Sequence, residues 1–372
     1  MTGQLVSVGE LVRAHYGKAL KDSDRRGGGQ HDVYGSSGII GRHDQCLVPY
    51  PTVVIGRKGS VGSVTFAPNG GWPIDTAFFI ELREPERADL RYLYWALSNA
   101  RLDRRAITKS IPSLNRDELY RAKIRLPALS EQHRIAAMLD KADDVRRKQR
   151  DGLSLVGQLQ DSAFLEMFGD PRTNERDWDV VSLEQVSQIV SGVTKGRKLP
   201  PHGVRQVPYL RVANVQDGYL NVAEVKTIDA TLVEIDRYRL RDGDILLTKG
   251  GDSDKLGRGA VWRGEVEECI HQNHIFRVRL VDTDLTPDYV SALLGSAYGK
   301  RFFLKAAKQT TGIASINRTQ LARFPVIRAP VELQHRYAAL LGCTHGVAER
   351  VSAAGRTADQ LYDALVARVF SG

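Results

Sequence analysis

With 372 residues, 42% of them hydrophobic and 26% charged, the chain has the composition of a soluble globular protein and room for two or three domains. No apolar run approaches eighteen residues and no charged-then-apolar leader follows Met1, so neither a membrane span nor a secretory signal is readable and a cytoplasmic location is expected. Cys46, Cys269 and Cys343 are too few and too scattered for a disulfide framework, and the formal charge of +9 becomes informative when it is divided along the chain.

In chain order, residues 5–12 form a short amphipathic stretch that leads into a polar Gly-rich loop carrying Lys18 and Lys21. Residues 52–55 and 77–82 are short apolar or alternating runs bounded by Gly, Pro and Asp, and predict strands. Between them Gly56-Arg57-Lys58-Gly59-Ser60-Val61-Gly62 is a basic loop. Its glycines permit positive-φ turns, and its cations are free to reach phosphates or base edges; a hairpin turn with solvated charges is the plainer reading. A helix is predicted over residues 90–104. Lys109 and Ser110-Ile111-Pro112-Ser113-Leu114-Asn115-Arg116 follow. There Asn115 suits an adenine edge and Arg116 a guanine edge or a phosphate, although an Asn that caps or turns the chain fits as well.

A long helix is predicted over residues 131–168. Ser130 is its N-cap, Glu131 favours its positive end, and Gly169-Asp170-Pro171 stops it.

The pattern then repeats. Residues 181–186 are amphipathic, and the loop after them carries Lys195 and Lys198. Strands are predicted over 244–248 and 274–280, with a second basic Gly-rich loop between them that holds Lys249, Lys255 and Arg258. A helix is predicted over 287–305, followed by Lys308 and Gly312-Ile313-Ala314-Ser315-Ile316-Asn317-Arg318. Glu332-Leu333-Gln334-His335-Arg336 then opens a second long helix in the pattern of Glu131-Gln132-His133-Arg134. Asn115 and Asn317, Gln132 and Gln334, and Phe168 and Phe370 all stand 202 positions apart, with no gap in the match. Such a period is far longer than a solenoid unit, so one half is written twice.

Tested against a 3.5-residue period, the first helix places Ile135, Met138, Val145, Val156 and Leu159 on one seam. The second places Tyr337, Leu340, Val347, Val351, Leu361 and Leu365 there. Matching seams predict that the two helices pair as a coiled coil, with antiparallel pairing preferred. The basic excess lies outside them: residues 1–128 carry +6 and 170–328 carry +4, whereas 129–169 carry −1 and 329–372 are neutral. Globular segments that meet a polyanion and helices that meet protein are the expectation. The predicted fold is α+β, with two similar globular domains joined by two long antiparallel helices and internal pseudo-twofold symmetry.

Other chemistry has weaker support. The run from Cys269 to His274 contains metal-ligating residue types but lacks a second ligand pair at a recognisable spacing, and a strand edge explains it. Asp217, Glu224 and Lys226 fit a loose metal-dependent nuclease pattern that arises often by chance. Neither basic loop is a Walker A motif, and no methyltransferase motif is present.

Two basic heads spaced by paired helices suit a two-part DNA site. Tyr16-Gly17-Lys18-Ala19-Leu20, residues 33–41, Ile55-Gly56-Arg57-Lys58-Gly59-Ser60-Val61-Gly62, Trp72-Pro73-Ile74-Asp75-Thr76-Ala77 and the helix start Leu129-Ser130-Glu131-Gln132 make the chain resemble the specificity subunit of type I restriction-modification systems. The resemblance covers the whole length, and Leu333 departs from the acidic residue of the helix start. It implies target-recognition domains at 1–128 and 170–328 and conserved spacer helices at 129–169 and 329–372. It also implies a non-catalytic chain that reads one half of an asymmetric double-stranded DNA site with each domain. Partners would be two copies of an adenine methyltransferase subunit and the restriction/translocase subunits, with S-adenosylmethionine, ATP and magnesium held on those partners. A stand-alone DNA-binding protein, or a recognition chain of another restriction-modification type, is the alternative.

Overall fold

The computed structural model describes residues 3–25, 28–106, 112–251, 256–310 and 313–370. They divide into two compact units, one made of residues 1–151 and 351–372 and the other of residues 152–350.

In the first unit the elements run β1 (Gln4–Ser7), α1 (Val8–Leu11), β2 (Val12–Tyr16), β3 (His31–Gly35), β4 (Gly38–His43), β5 (Thr52–Gly56), β6 (Val64–Ala67), β7 (Trp72–Pro73), β8 (Ala77–Leu82), α2 (Leu90–Ser98), α3 (Arg116–Arg121), β9 (Lys123–Leu126) and the start of α4 (Leu129–Phe168). A four-stranded antiparallel sheet has the order β2-β8-β5-β6. A second sheet has the order β4-β3-β7, in which β3 and β7 run parallel, and β1 pairs with β9. The core gathers Val12, Val53, Ile55, Phe78 and Ile80 from the four-stranded sheet, with Tyr92 and Leu93 of α2 and Ile135 and Leu139 of α4 packed over them.

The second unit continues α4 and adds β10 (Val180–Ser182), α5 (Leu183–Val186), β11 (Ser187–Ser191), β12 (Val204–Leu210), β13 (Lys226–Thr231), α6 (Leu232–Tyr238), β14 (Ile245–Thr248), β15 (Gly250–Gly251), β16 (Gly259–Val261), β17 (Ile270–His271), β18 (Ile275–Leu280), α7 (Pro287–Gly295), α8 (Ala297–Ala306), β19 (Lys308–Thr310), β20 (Ile313–Ser315), α9 (Arg318–Ala322), β21 (Pro325–Ile327) and α10 (Val331–Phe370). Its sheets repeat those of the first: β11-β18-β14-β16 antiparallel, β13-β12-β17 with a parallel β12-β17 pair, and β10 against β21. It also carries a small sheet β15-β20-β19, in which the β15-β20 pairing corresponds to the Lys58–Ser113 bridge of the first unit.

Two predicted helices are interrupted. The first stops at Ser98; Arg101 takes a left-handed turn with φ 48° before a 3-10 turn at Leu102–Arg105. The second breaks at Ser296, whose side chain caps α8 by accepting from the Gly299 amide at 3.4 Å. Gly299 sits so close to the preceding helix that a Cβ there would lie 2.0 Å from the Leu294 carbonyl oxygen.

The repeated glutamine of the long helices is fully buried in both copies. Gln132 accepts from the Asp89 amide at 2.8 Å and donates to the Arg87 and Pro127 carbonyls at 3.0 and 2.9 Å. Gln334 accepts from the Thr286 amide at 2.8 Å and donates to the Asp284 and Ala329 carbonyls at 2.9 and 2.8 Å. Each amide thus staples the first turn of a long helix to the loop that caps α2 or α7, with its donors and acceptor satisfied.

The helices pair antiparallel within each unit. In the first, Arg146 bonds Asp359 at 2.6 Å and stacks on Tyr362 at 4.2 Å, while Tyr362, Leu365 and Val369 join the core that holds Ile135 and Leu139. In the second, Gln160 donates to Thr344 at 2.8 Å, and Phe164 and Phe168 pack edge-on to Tyr337.

The seam itself differs from the expected one. Ile135, Val156, Tyr337, Val351 and Leu365 lie at buried or half-buried positions and Leu340 is half-buried, but Met138, Val145, Leu159, Val347 and Leu361 are exposed, by 38 to 57%. The covered stripe instead joins the Ile135 series to the positions four residues on, Leu139, Arg146 and Gln160 in α4 and Leu341, Tyr362 and Val369 in α10. Both stripes have a 3.5-residue spacing; what decides between them is that polar Arg146, Gln160 and Thr344 find partners across the pair.

Candidate nucleic-acid interface

In the first unit, β5 ends where the basic loop begins. The Arg57 carbonyl accepts from the Leu114 amide at 2.9 Å, and Lys58 bridges to Ser113, so the loop and the segment before α3 form one surface. Arg57 donates from Nη1 to the Asp75 carbonyl at 2.9 Å. Its guanidinium lies 4.8 Å from the Tyr16 ring centroid and that of Arg116 lies 4.5 Å from the same ring. Tyr16, at the end of β2, is 48% exposed. Asn115 caps α3, its Oδ1 accepting from the Glu118 amide at 2.7 Å. The Oδ1 of Asn115 is therefore committed to the cap; Arg57 and Arg116 beside it are half-buried and Lys58 is exposed.

The second unit builds the same place with other side chains. The Lys249 carbonyl accepts from the Ile316 amide at 2.8 Å, so Lys249 corresponds to Arg57 and Ile316 to Leu114. The Lys249 ammonium sits 4.7 Å over the Phe276 ring, where burial lowers its pKa. Phe276 takes the sheet position of Phe78: Leu247 faces Phe276 as Ile55 faces Phe78. Asn317 caps α9, accepting from the Gln320 amide at 2.9 Å, and Arg318 beside it is exposed. Arg258 is half-buried, and its carbonyl accepts from the Thr248 amide at 2.9 Å. Facing Phe276 on β11 is Ser191, where the first unit has Tyr16 facing Phe78.

The remaining predicted cations are spread more widely. Lys18 is exposed with its ammonium 5.9 Å from the Trp72 ring, and Lys21 is exposed. Lys195 and Lys198 flank Arg197, which binds Glu234 through two nitrogens at 2.5 and 2.7 Å and leaves its two neighbours in solvent. That pairing holds the Glu234 carboxyl down at about 2, the Arg197 bond being the main cause and the Thr231 amide a lesser one. Lys109 and Lys255 lie outside the described residues, and Lys308 belongs to β19. Glycine is required where β2 and β11 turn out of the sheet: a Cβ at Gly17 would lie 2.2 Å from the Ile74 carbonyl oxygen, and one at Gly192 1.8 Å from that of His271.

The nuclease-like trio does not assemble as a unit. Asp217 pairs with Lys300 at 3.0 Å, whereas Glu224 lies 3.5 Å from Arg211 and 3.7 Å from Lys226. Among the described residues no group of three or more His, Cys, Asp or Glu is arranged to hold a metal ion, and no helix is long and apolar enough to cross a membrane. Cys269 and His271 are buried on and beside the edge strand β17.

Three features escaped the sequence reading. Tyr16 stood within a Tyr-Gly-Lys motif without an assigned contact. Arg101, Arg104 and Arg105 line a shallow hollow with Glu118, made basic by the 3-10 turn that replaces the end of the predicted helix. Gln132 and Gln334 carried the signal of repetition, and their role required the loops they reach.

Residues 3–151 match the family described as type I restriction modification DNA specificity domain. The chain is 21% identical over 361 residues to the type I restriction enzyme EcoKI specificity subunit of Escherichia coli, which covers 89% of this chain and 76% of that protein. It is 26% identical over 167 residues to the type I restriction enzyme MjaX specificity subunit of Methanocaldococcus jannaschii, a match spanning 44% of this chain and 39% of the relative. In fold it is similar to the S subunit of a type I restriction-modification system from M. genitalium, with a TM-score of 0.65, 15% identity, and coverage of 100% of this chain and 96% of that one.

Proposed function

We propose that this chain, a type I restriction-modification specificity protein by its matched domain, its relatives and its fold, reads a bipartite asymmetric DNA site, one half with each of its two recognition units. The recognition units are assigned to residues 1–128 and 170–328. The observation that carries this reading is the duplicated site: in each unit a cation at the end of the third sheet strand stacks on the neighbouring strand's Phe and is tied through its carbonyl to the segment before an Asn-capped helix. Duplicated architecture with different side chains, Arg57 and Tyr16 against Lys249 and Ser191, is what reading two different half-sites requires.

The chain contributes recognition and no catalysis. The adenine to be modified is extruded and methylated by a partner that binds S-adenosylmethionine, and restriction and translocation, with ATP and magnesium, belong to further subunits. Docking of two methyltransferase copies is supported by the side chains that the long helices repeat on their exposed faces. His133 and His335, Arg134 and Arg336, Val145 and Val347, and Leu159 and Leu361 are identical in type and exposed in both copies. An apolar side chain that is repeated and left outside the helix pair suits a protein partner met twice.

Sequencing adenine methylation in the native genome, with and without this gene, tests the reading. The expected result is an interrupted two-part motif that disappears on deletion. An unchanged methylome in a strain with an active partner methyltransferase would sink it. Equal insertions in both helices, near Gln149 in α4 and at its neighbour Gly355 in α10, are expected to lengthen the spacer of that motif and leave both half-sites unaltered.

A further inference from the structure

Among the described residues, the first unit contains a cation arrangement with no counterpart in the second. Tyr16 presents an exposed ring, and the guanidiniums of Arg57 and Arg116 both rest within 5 Å of its centroid. Arg57 is committed, with Nη1 on the Asp75 carbonyl. Arg116 is not: among the described residues its guanidinium has no hydrogen-bond or ion-pair partner, and its Nε is buried, so only the terminal nitrogens are available to a ligand.

We propose that Arg116 is a guanine-reading residue of this protein and that Tyr16 is its positioning residue; this rests on the DNA-recognition reading above. A guanidinium is planar and presents its terminal N–H groups in the fork that matches O6 and N7 of guanine in the major groove, and the Tyr16 ring beneath Arg116 gives that fork a support. Stacking limits the rotamers of a long side chain, so less freedom is lost when the base arrives. The second unit has Ser191 at the place of Tyr16 and Lys249 at that of Arg57, so among the described residues its Arg318 has no ring at the matching sheet position. The stacked-arginine readout therefore belongs to one half-site only.

The test uses the full chain in complex with its methyltransferase, bound to duplexes in which the guanines of both half-sites are replaced singly by 7-deazaguanine, which pairs normally and lacks N7. The expected result is a loss of about 5- to 150-fold at one or two positions of a single half-site. Arg116→Lys is expected to bind the unmodified duplex correspondingly less tightly and to show no further loss at those positions. Tyr16→Ala should behave as Arg116→Lys does, and Tyr16→Phe, which keeps the ring, as the unaltered chain. Should Tyr16→Ala lower the melting temperature of the chain, Arg116→Lys and Tyr16→Phe decide the matter. A 7-deazaguanine penalty that persists in Arg116→Lys, with affinity reduced equally for all duplexes, would make Arg116 a phosphate contact and overturn the proposal. So would the absence of any sensitive guanine. Failure of the unaltered complex to prefer any sequence would instead overturn the recognition reading beneath it.

Discussion

Replacing Gln132 with leucine should open the first unit at the start of α4. The side chain is fully buried and makes three hydrogen bonds, to the Asp89 amide and the Arg87 and Pro127 carbonyls. Leucine approximates its volume, so cavity formation contributes little and the cost is that of one buried N–H and two carbonyls left without partners. At about 1 kcal/mol for each lost bond, with a greater penalty for the orphaned amide, the loss is about 2 to 4 kcal/mol. Because the chain has two compact units, hydrogen exchange followed by mass spectrometry assigns the loss to one of them. Core peptides from β5 and β8 are expected to lose roughly 30- to 900-fold of their protection, while those from β14 and β18 change far less. Gln334→Leu should reverse the pattern, since its amide makes the matching bonds at α7. A loss below about 0.5 kcal/mol, within the range of an ordinary surface substitution, would refute the staple.

Acid should weaken the loop that carries Lys195 and Lys198. Glu234 has its folded pKa depressed to about 2 from 4.5, so the stability it confers is present above pH 4.5 and is lost as pH falls through that window. A ceiling of about 3 kcal/mol follows, and Glu234→Gln should flatten the dependence of urea midpoints on pH between those limits. In a Cys343→Ser background, cysteines at 160 and 344 are expected to crosslink under mild oxidation, and failure to do so would exclude the antiparallel pairing in that unit. Lys249→Met should separate stability from binding: removal of a partly buried ammonium is expected to leave the melting temperature unchanged or raised, while affinity for DNA falls. A lowered melting temperature with unchanged affinity would remove Lys249 from the interface.

The strands β5, β8, β14 and β18 were legible because each is a short apolar run with turn residues on both sides, and burial on two faces demands such a run. The long helices were legible from the repeat itself. The seam was not, because two stripes of equal period and similar apolar content are available, and the one with Met138, Val145 and Leu159 faces outward. Periodicity alone does not choose between such stripes; the contacts made across the pair, Arg146 with Asp359 and Gln160 with Thr344, do. Asn115 was ambiguous for another reason: its side chain suits a base edge and a helix cap equally, and only the position of the Glu118 amide decides. Tyr16 was passed over because stacking joins residues 16, 57 and 116, which are brought together by the order of strands in a sheet.

The core of the first unit includes Tyr362, Leu365, Val366, Val369 and Phe370 beside residues from Val6 to Leu139, whereas the second is one uninterrupted span. A ribosome therefore delivers everything the second unit needs before it delivers the last helical turns that close the first. The domain begun earliest is completed latest, and a premature stop ahead of Tyr362 would leave an intact later domain attached to an earlier one with an open core.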